Sequence, residues 1–298
     1  MGTFRAPAAQ AAHVMKSLQG DVLRSVGTVR NYEQCLTRVA EWTQQERISG
    51  GLRAMTPELA TRYLEQRGEA VGQKSLDMER QSMQAMMIHV TGKLASGEHL
   101  PVTKSELAQT LEGRAYTPQQ AELIASAQTP HNALATEIAH AAGLRAHELL
   151  TLCPVAERAA DPRPALDSKW KGRSGEIYTV QGKGGLTREV MIPHELAARL
   201  EERRLDAPQV VTDRGVFYQS SYDIGGGQRW SNSVSAASER TMGRSTGAHG
   251  LRHSYAQERM TELQNRGLSR DAALETVSQE MGHFRPEITE TYLRWDVW

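Results

Sequence analysis

Apolar residues recur at a helical interval along most of this 298-residue chain, and only between Glu176 and Ile192 does the pattern become that of paired strands. Val29, Tyr32, Leu36 and Val39 place one amphipathic helix between Val29 and Trp42. Thr56 can cap a second helix and Pro57 suits its first turn, with Leu59, Tyr63 and Leu64 as its apolar stripe. Leu76, Met83, Met87, Val90 and Leu94 mark a third, whose methionines read as core packing. After Leu94 the period lapses, and residues 95–114 mix Gly, Pro, Ser and charged residues as a linker does. The expected organisation is a helical domain over 14–100, a linker over 101–114 and a larger domain over 115–298.

In the larger domain Thr117-Pro118 opens a helix, and Leu134, Ile138, Ala141 and Ala142 mark another that Gly143 can end. Arg145 to Leu152 reads as the next helical segment, with Arg145 at its start. Glu176 to Val180, a Gly-rich turn over Gln181 to Gly185, and Thr187 to Ile192 read as a β-hairpin with Lys183 at its tip. Further helices are expected near Asn232–Met242, Leu251–Gln264 and Asp271–Met281, then a short one beginning at Pro286. The fold class is mainly α with a small antiparallel β-sheet.

Composition narrows the functional classes. No stretch approaches the roughly 18 apolar residues of a membrane span, and the first residues lack the apolar run of a secretory signal, so a soluble cytoplasmic protein is expected. Cys35 and Cys153 are the only cysteines and lack metal-ligand spacing, which points to neither a disulfide framework nor a zinc site. Thirty-five basic residues balance 35 acidic ones, and a neutral chain of this kind binds nucleic acid only if its positive charge is gathered on one face.

One ordered set of residues carries chemistry: Arg145 with Glu148 in GLRAHELL, Lys183 in QGKGG, His249 and Arg252 in HGLRH, His283 in MGH, and Tyr292 in TETYLR. Singly, Arg145 reads as a surface helix residue, Lys183 as a solvated turn and Tyr292 as one of eight tyrosines. Their order and contexts resemble the tyrosine recombinases of the phage-integrase superfamily. There, an arginine followed three residues later by an acid, a hairpin lysine, an HxxR pair, a GH dipeptide and a tyrosine nine residues after its histidine build one active site. The resemblance covers about residues 115–298 in its catalytic part, and less specifically residues 14–95, which look like the family's helical (SAM-like) core-binding domain.

The resemblance implies strand cutting and joining through a 3′-phosphotyrosine link, with Tyr292 as nucleophile. Arg145 and Arg252 would hold the nonbridging oxygens with forked donors, and His249 and His283 would add hydrogen bonds. Lys183 takes the general-acid role, Glu148 orients a neighbouring histidine or arginine, and His253 is a packed supporting residue rather than a phosphate ligand. The i, i+4 pair His249 and His253 lacks the glutamate of a zinc protease, since Gly250 stands there, and QGKGG lacks the P-loop pattern. No metal and no cofactor is implied. The implied partners are double-stranded DNA sites and three further copies of the chain, with an accessory directionality factor in some members of the family.

Two departures stand out. Arg252 and His283 are 31 positions apart, more than the commonest family spacing, with the excess around Thr261 to Asp271. The sequence ends six residues after Tyr292, where many relatives carry a tail that docks on a neighbouring protomer, and Trp295 and Trp298 are candidates either to anchor such a tail or to cap their own domain. Competing readings are a type IB topoisomerase-like enzyme that relaxes DNA as a monomer, and a DNA-binding regulator without catalysis. For the amino-terminal region, Arg30, Arg38, Lys74, Arg80 and Lys93 are the candidate DNA contacts.

Overall fold

The computed structural model describes residues 5–20, 22–23, 26–108, 113–182 and 184–294. The chain divides into two compact units, Met1–Thr110 and Leu111–Trp298. Lys183, Trp295 and Trp298 lie outside the described residues. Among the described residues no helix is long and apolar enough to cross a membrane.

The first unit is helical. Helices α1 (Pro7–Leu18), α2 (Val26–Gln45), α3 (Pro57–Gly68) and α4 (Gln73–Met86) bury one face each, and α4 runs on into a π turn over Met87–Thr91. The side chain of Thr56 accepts from the Leu59 amide, so the expected cap of α3 is present with Pro57 behind it. Leu36, Val39, Leu64, Met83, Met86 and Met87 are fully buried, each removal from water contributing about 1.5–3 kcal/mol. The methionines are therefore core. Helix α1, which the periodicity did not announce, adds Ala11, Val14, Met15 and Leu18 to the same core.

One charge sits inside that core. Glu79 is wholly buried, and its carboxylate accepts from Tyr63 Oη (2.9 Å), Arg38 Nε (2.9 Å) and both Nε and Nη2 of Arg67 (3.0 Å each). Burial opposes its ionisation, but the Arg67 and Tyr63 hydrogen bonds prevail and hold it below the usual carboxylate range. Arg38, a candidate DNA contact, thus serves this buried acid. Arg80 is likewise tied to the Leu100 carbonyl, whereas Arg30, Lys74 and Lys93 are exposed.

The second unit opens with α5 (Pro118–Ser126), fixed by a reciprocal capping box between Thr117 and Gln120, and α6 (Pro130–Ala142). Strands β1 (Cys153–Pro154), β2 (Glu176–Gln181) and β3 (Thr187–Ile192) form an antiparallel sheet in the order β1-β2-β3. Helix α7 (His194–Glu201) leads to a second antiparallel pair, β4 (Arg204–Asp213) and β5 (Val216–Tyr222). The remaining helices are α8 (Gly227–Met242), α9 (His249–Asn265), α10 (Arg270–Glu280) and α11 (Pro286–Thr289).

The chain is mainly α as expected, and the described residues form two small antiparallel sheets, the second being β4 and β5 in a stretch without clean alternation. One expectation needs correction. The segment from Arg145 to Leu152 is no α-helix: Arg145 lies in the loop after α6, and only Glu148–Thr151 coils, as a 3-10 turn. Gly143 does end α6, in the left-handed conformation at φ +62°.

Candidate active site

The second unit gathers its functional side chains at the ends of helices. Arg145 follows α6, His249 and Arg252 lie in the first turn of α9, His283 follows α10, and Tyr292 ends a 3-10 turn over Glu290–Tyr292 after α11. The HGLRH spacing accounts for part of this convergence, since residues at i, i+3 and i+4 share one helix face. The opposite face explains the glycine between them. A Cβ on Gly250 would stand 2.5 Å from the Arg114 carbonyl and 2.6 Å from the Tyr116 ring, so α9 reaches its position only with glycine there.

Tyr292 is buried among three imidazoles. Its ring centroid lies 4.6 Å from that of His253, 5.0 Å from His283 and 5.3 Å from His249, and the Arg252 guanidinium carbon is 5.6 Å from the ring. Gln257 holds the segment by donating to the carbonyls of Tyr292 (3.1 Å) and Arg294 (2.8 Å). His253 packs against the Tyr292 ring and is itself buried.

Arg252 is entirely buried. It donates to the carbonyls of Gly143 and Met281 and, at 3.0 Å, to Nε2 of His283. A guanidinium only donates, so that Nε2 carries a lone pair and the ring proton sits on Nδ1, facing Thr289 Oγ1 at 3.0 Å. Burial, reinforced by the charge of Arg252 and Arg145, pushes the His283 pKa down to about 3, in keeping with a neutral ring. His253 is pushed down to about 4, by burial first and then by Arg114. Burial of the ring and then the charge of Arg252 lower His249 to about 3 as well, although the residue as a whole is exposed. Burial and Arg145 lower Arg252 itself to about 10, so it remains a cation at neutral pH.

Beneath this layer lies Glu148, with no exposed surface. Its carboxylate accepts from the amide and Nη1 of Arg145 (2.8 Å each) and from Nη2 of Arg188 (2.9 Å). Burial opposes its charge, but Arg188, Arg252 and Arg145 outweigh burial and hold it far below the usual carboxylate range. The acid three residues after Arg145 therefore fixes that arginine's backbone and head group together.

Three residues of this framework escaped the sequence reading. Arg188, 5% exposed on β3, donates to Glu148 and to the Glu280 carbonyl. Arg259, wholly buried, pairs with Glu280 through Nε and Nη2, and Tyr255 Oη adds a 2.8 Å hydrogen bond to the same carboxylate. The signal for Arg188 was available: it occupies the buried register of β3 with Val190 and Ile192. Lys183 belongs to the turn of this hairpin in sequence and lies outside the described residues.

No family model matches the chain, and no curated protein matches it in sequence. Solved structures do. A lambda integrase dimer bound to a COC′ core site aligns with a TM-score of 0.61 at 14% identity, covering 97% of this chain and 95% of that one. A XerH site-specific recombinase bound to a palindromic difH substrate aligns at 0.58 and 14% identity, covering 99% and 95%. A lambda integrase tetramer bound to a Holliday junction aligns at 0.59 and 14% identity, covering 100% and 81%. With its helical first unit and its helical second unit carrying small antiparallel sheets, the chain has the tyrosine recombinase fold.

Proposed function

We propose that the protein is a site-specific DNA recombinase that cuts and rejoins strands through a covalent bond between Tyr292 and a DNA 3′-phosphate. The observation that carries this reading is the convergence of Tyr292, His249, His283 and Arg252 on one recess, with Arg145 held beside it by Glu148.

In the cleavage step the Tyr292 phenolic oxygen bonds to phosphorus and the bond from phosphorus to the 5′ oxygen breaks. Charge grows on the nonbridging oxygens, and Arg145, Arg252 and His249 are the donors for it. The leaving 5′ oxygen takes a proton from the Lys183 ammonium. A phosphate that draws the Arg252 Nη2 donor to itself frees the His283 lone pair, which then accepts the phenol proton. Rejoining reverses each transfer when a 5′-hydroxyl attacks the phosphotyrosine. One phosphate ester replaces another, so the energy of the broken bond is kept and no nucleotide triphosphate is consumed.

The free protein is closed to this chemistry. Arg252 has no exposed surface and Tyr292 is 7% exposed, with the tyrosine ring lying over the guanidinium. The segment from Pro286 to Tyr292 has to shift for a phosphate to enter between them. Four protomers on two duplexes would supply the paired exchanges of a recombinase, and a lambda integrase tetramer bound to a Holliday junction is among the structures this chain resembles.

The test is a plasmid bearing two copies of a site selected from random duplexes by the protein itself. Recombinant circles of the expected sizes support the proposal. Relaxation of supercoils without recombinants would point to the topoisomerase reading, and binding with neither product to a regulator.

A further inference from the structure

We propose that Arg114 is a DNA-contacting residue, a cation that grips the backbone phosphate next to the one joined to Tyr292; the proposal rests on the recombinase reading above. Residues 114–116 cross the first turn of α9 as a strap. At one end the Thr246 hydroxyl donates to the Arg114 carbonyl (2.7 Å). At the other the Ser254 hydroxyl donates to the Tyr116 carbonyl (2.7 Å) and accepts from the Tyr116 amide (2.8 Å). The strap lies against Gly250, where a Cβ would collide with the Arg114 carbonyl. The Arg114 guanidinium then turns back and donates from Nη2 to the Thr246 carbonyl at 2.9 Å, three residues before His249. An exposed arginine is thereby fixed, by bonds to its backbone and its head group, beside the turn that carries His249 and Arg252.

The fold does not account for this charge. Arg145 and Arg188 share the Glu148 carboxylate, whereas no carboxylate among the described residues pairs with Arg114. The bond to the Thr246 carbonyl uses one N–H of the guanidinium fork, and a neutral amide would make it as well. Instead the cation presses on the recess. After burial, Arg114 is the largest influence holding the His253 pKa down to about 4, and it adds to Arg252 at His249. A positive charge held in place beside neutral imidazoles, with donors to spare, lacks an anion. The phosphate to be cut has its own donors in the buried Arg252 and in Arg145, which Glu148 holds. Arg114 is exposed and tied ahead of α9, outside that set, so the phosphate it meets is a neighbour on the same strand. Contacts of this kind fix a protein's register on the duplex, and this one would aim the scissile phosphate at the recess.

The experiment uses the full chain and a nicked duplex carrying its site. Single methylphosphonates, which replace a charged oxygen by a methyl group, are placed in turn at the phosphates flanking the one found joined to Tyr292, and affinity is measured across a salt series. Arg114→Gln keeps a donor for Thr246 and loses the charge. It should bind the unmodified duplex about tenfold more weakly, with a slope of log affinity against log salt shallower by about 0.9. One flanking methylphosphonate should weaken the wild type about tenfold and leave Arg114→Gln unchanged, while the others weaken both proteins alike. Arg114→Ala should show the same shallow slope, and Arg114→Lys, which keeps the charge, the wild-type slope. If the slopes of Arg114→Gln and Arg114→Ala equal that of the wild type, or if every methylphosphonate weakens wild type and variant alike, Arg114 serves the Thr246 loop alone and the proposal is overturned. A wild type that binds the duplex without forming an adduct overturns the recombinase reading, and with it the placement of Arg114 next to a cleaved phosphate.

Discussion

Arg252 donates from Nη2 to Nε2 of His283 at 3.0 Å, so the cation that would grip a phosphate holds a histidine neutral until the phosphate arrives. The pH consequence has a definite sign. His283 and His253 titrate near 6.5 when unfolded but at about 3 and about 4 when folded. The unfolded chain therefore binds more protons below pH 6.5, and the stability these residues contribute above that pH is lost as pH falls. Between pH 7 and pH 5 the melting temperature of the protein should drop by roughly 5–10 °C, and His283→Gln should flatten part of that slope. Thermal melts followed by circular dichroism check this; an unchanged slope in the variant would remove His283 from the account.

Glu148 accepts from both Arg145 and Arg188. Glu148→Ala should cost about 3–5 kcal/mol in urea unfolding, because it leaves two arginines facing an empty buried space. Glu148→Gln keeps the shape and one acceptor, and should cost less in stability than in cleavage rate. A Gln variant that cleaves at the wild-type rate would show that the charge is not needed to hold Arg145.

Gly282 and Gly243 separate backbone strain from crowding. Both have positive φ, +70° and +69°, but a Cβ at 282 would strike Arg188 while one at 243 meets nothing within 4 Å. Gly243→Ala should cost about 1 kcal/mol and leave cleavage intact; Gly282→Ala should cost more and slow cleavage at least tenfold. Equal effects of the two on cleavage would contradict the packing of Arg188 against the glycine of the GH dipeptide.

Arg38 belongs to the Glu79 cluster of the first unit. Arg38→Ala should lower stability by about 1 kcal/mol and leave unchanged the slope of log affinity against log salt, which reports phosphate contacts. A shallower slope would put Arg38 on DNA after all.

The sequence carried the helices and the hairpin because those elements bury a regular face. Leu36, Val39, Leu64 and Met83 are buried positions of a helical period, and Val180, Val190 and Ile192 of a strand period. It concealed β4, where most positions are exposed, Pro208 interrupts the run and the pairing register shifts between Arg204 and Gln209. A two-stranded ribbon tolerates that proline because its outer edges need no partner. Arg145 to Leu152 has apolar residues at near-helical spacing, yet the Glu148 carboxylate bonds the Arg145 amide and the segment tightens into a 3-10 turn. The candidate site residues were legible as an ordered set, and those among the described residues sit at or near element ends, where local motifs persist. Glu280 and Arg259 were not, since a buried ion pair leaves no local motif and shows only in the packing of α9 and α10, whereas Arg188 stood as a charge on the buried register of β3.

The most direct measurement is to trap the protein on a nicked duplex carrying its site, digest the adduct and locate the modified residue by mass spectrometry. A 3′-phosphate ester on Tyr292 and no adduct with Tyr292→Phe are expected; an adduct that persists in that variant, or that maps to another residue, would show that Tyr292 is not the nucleophile.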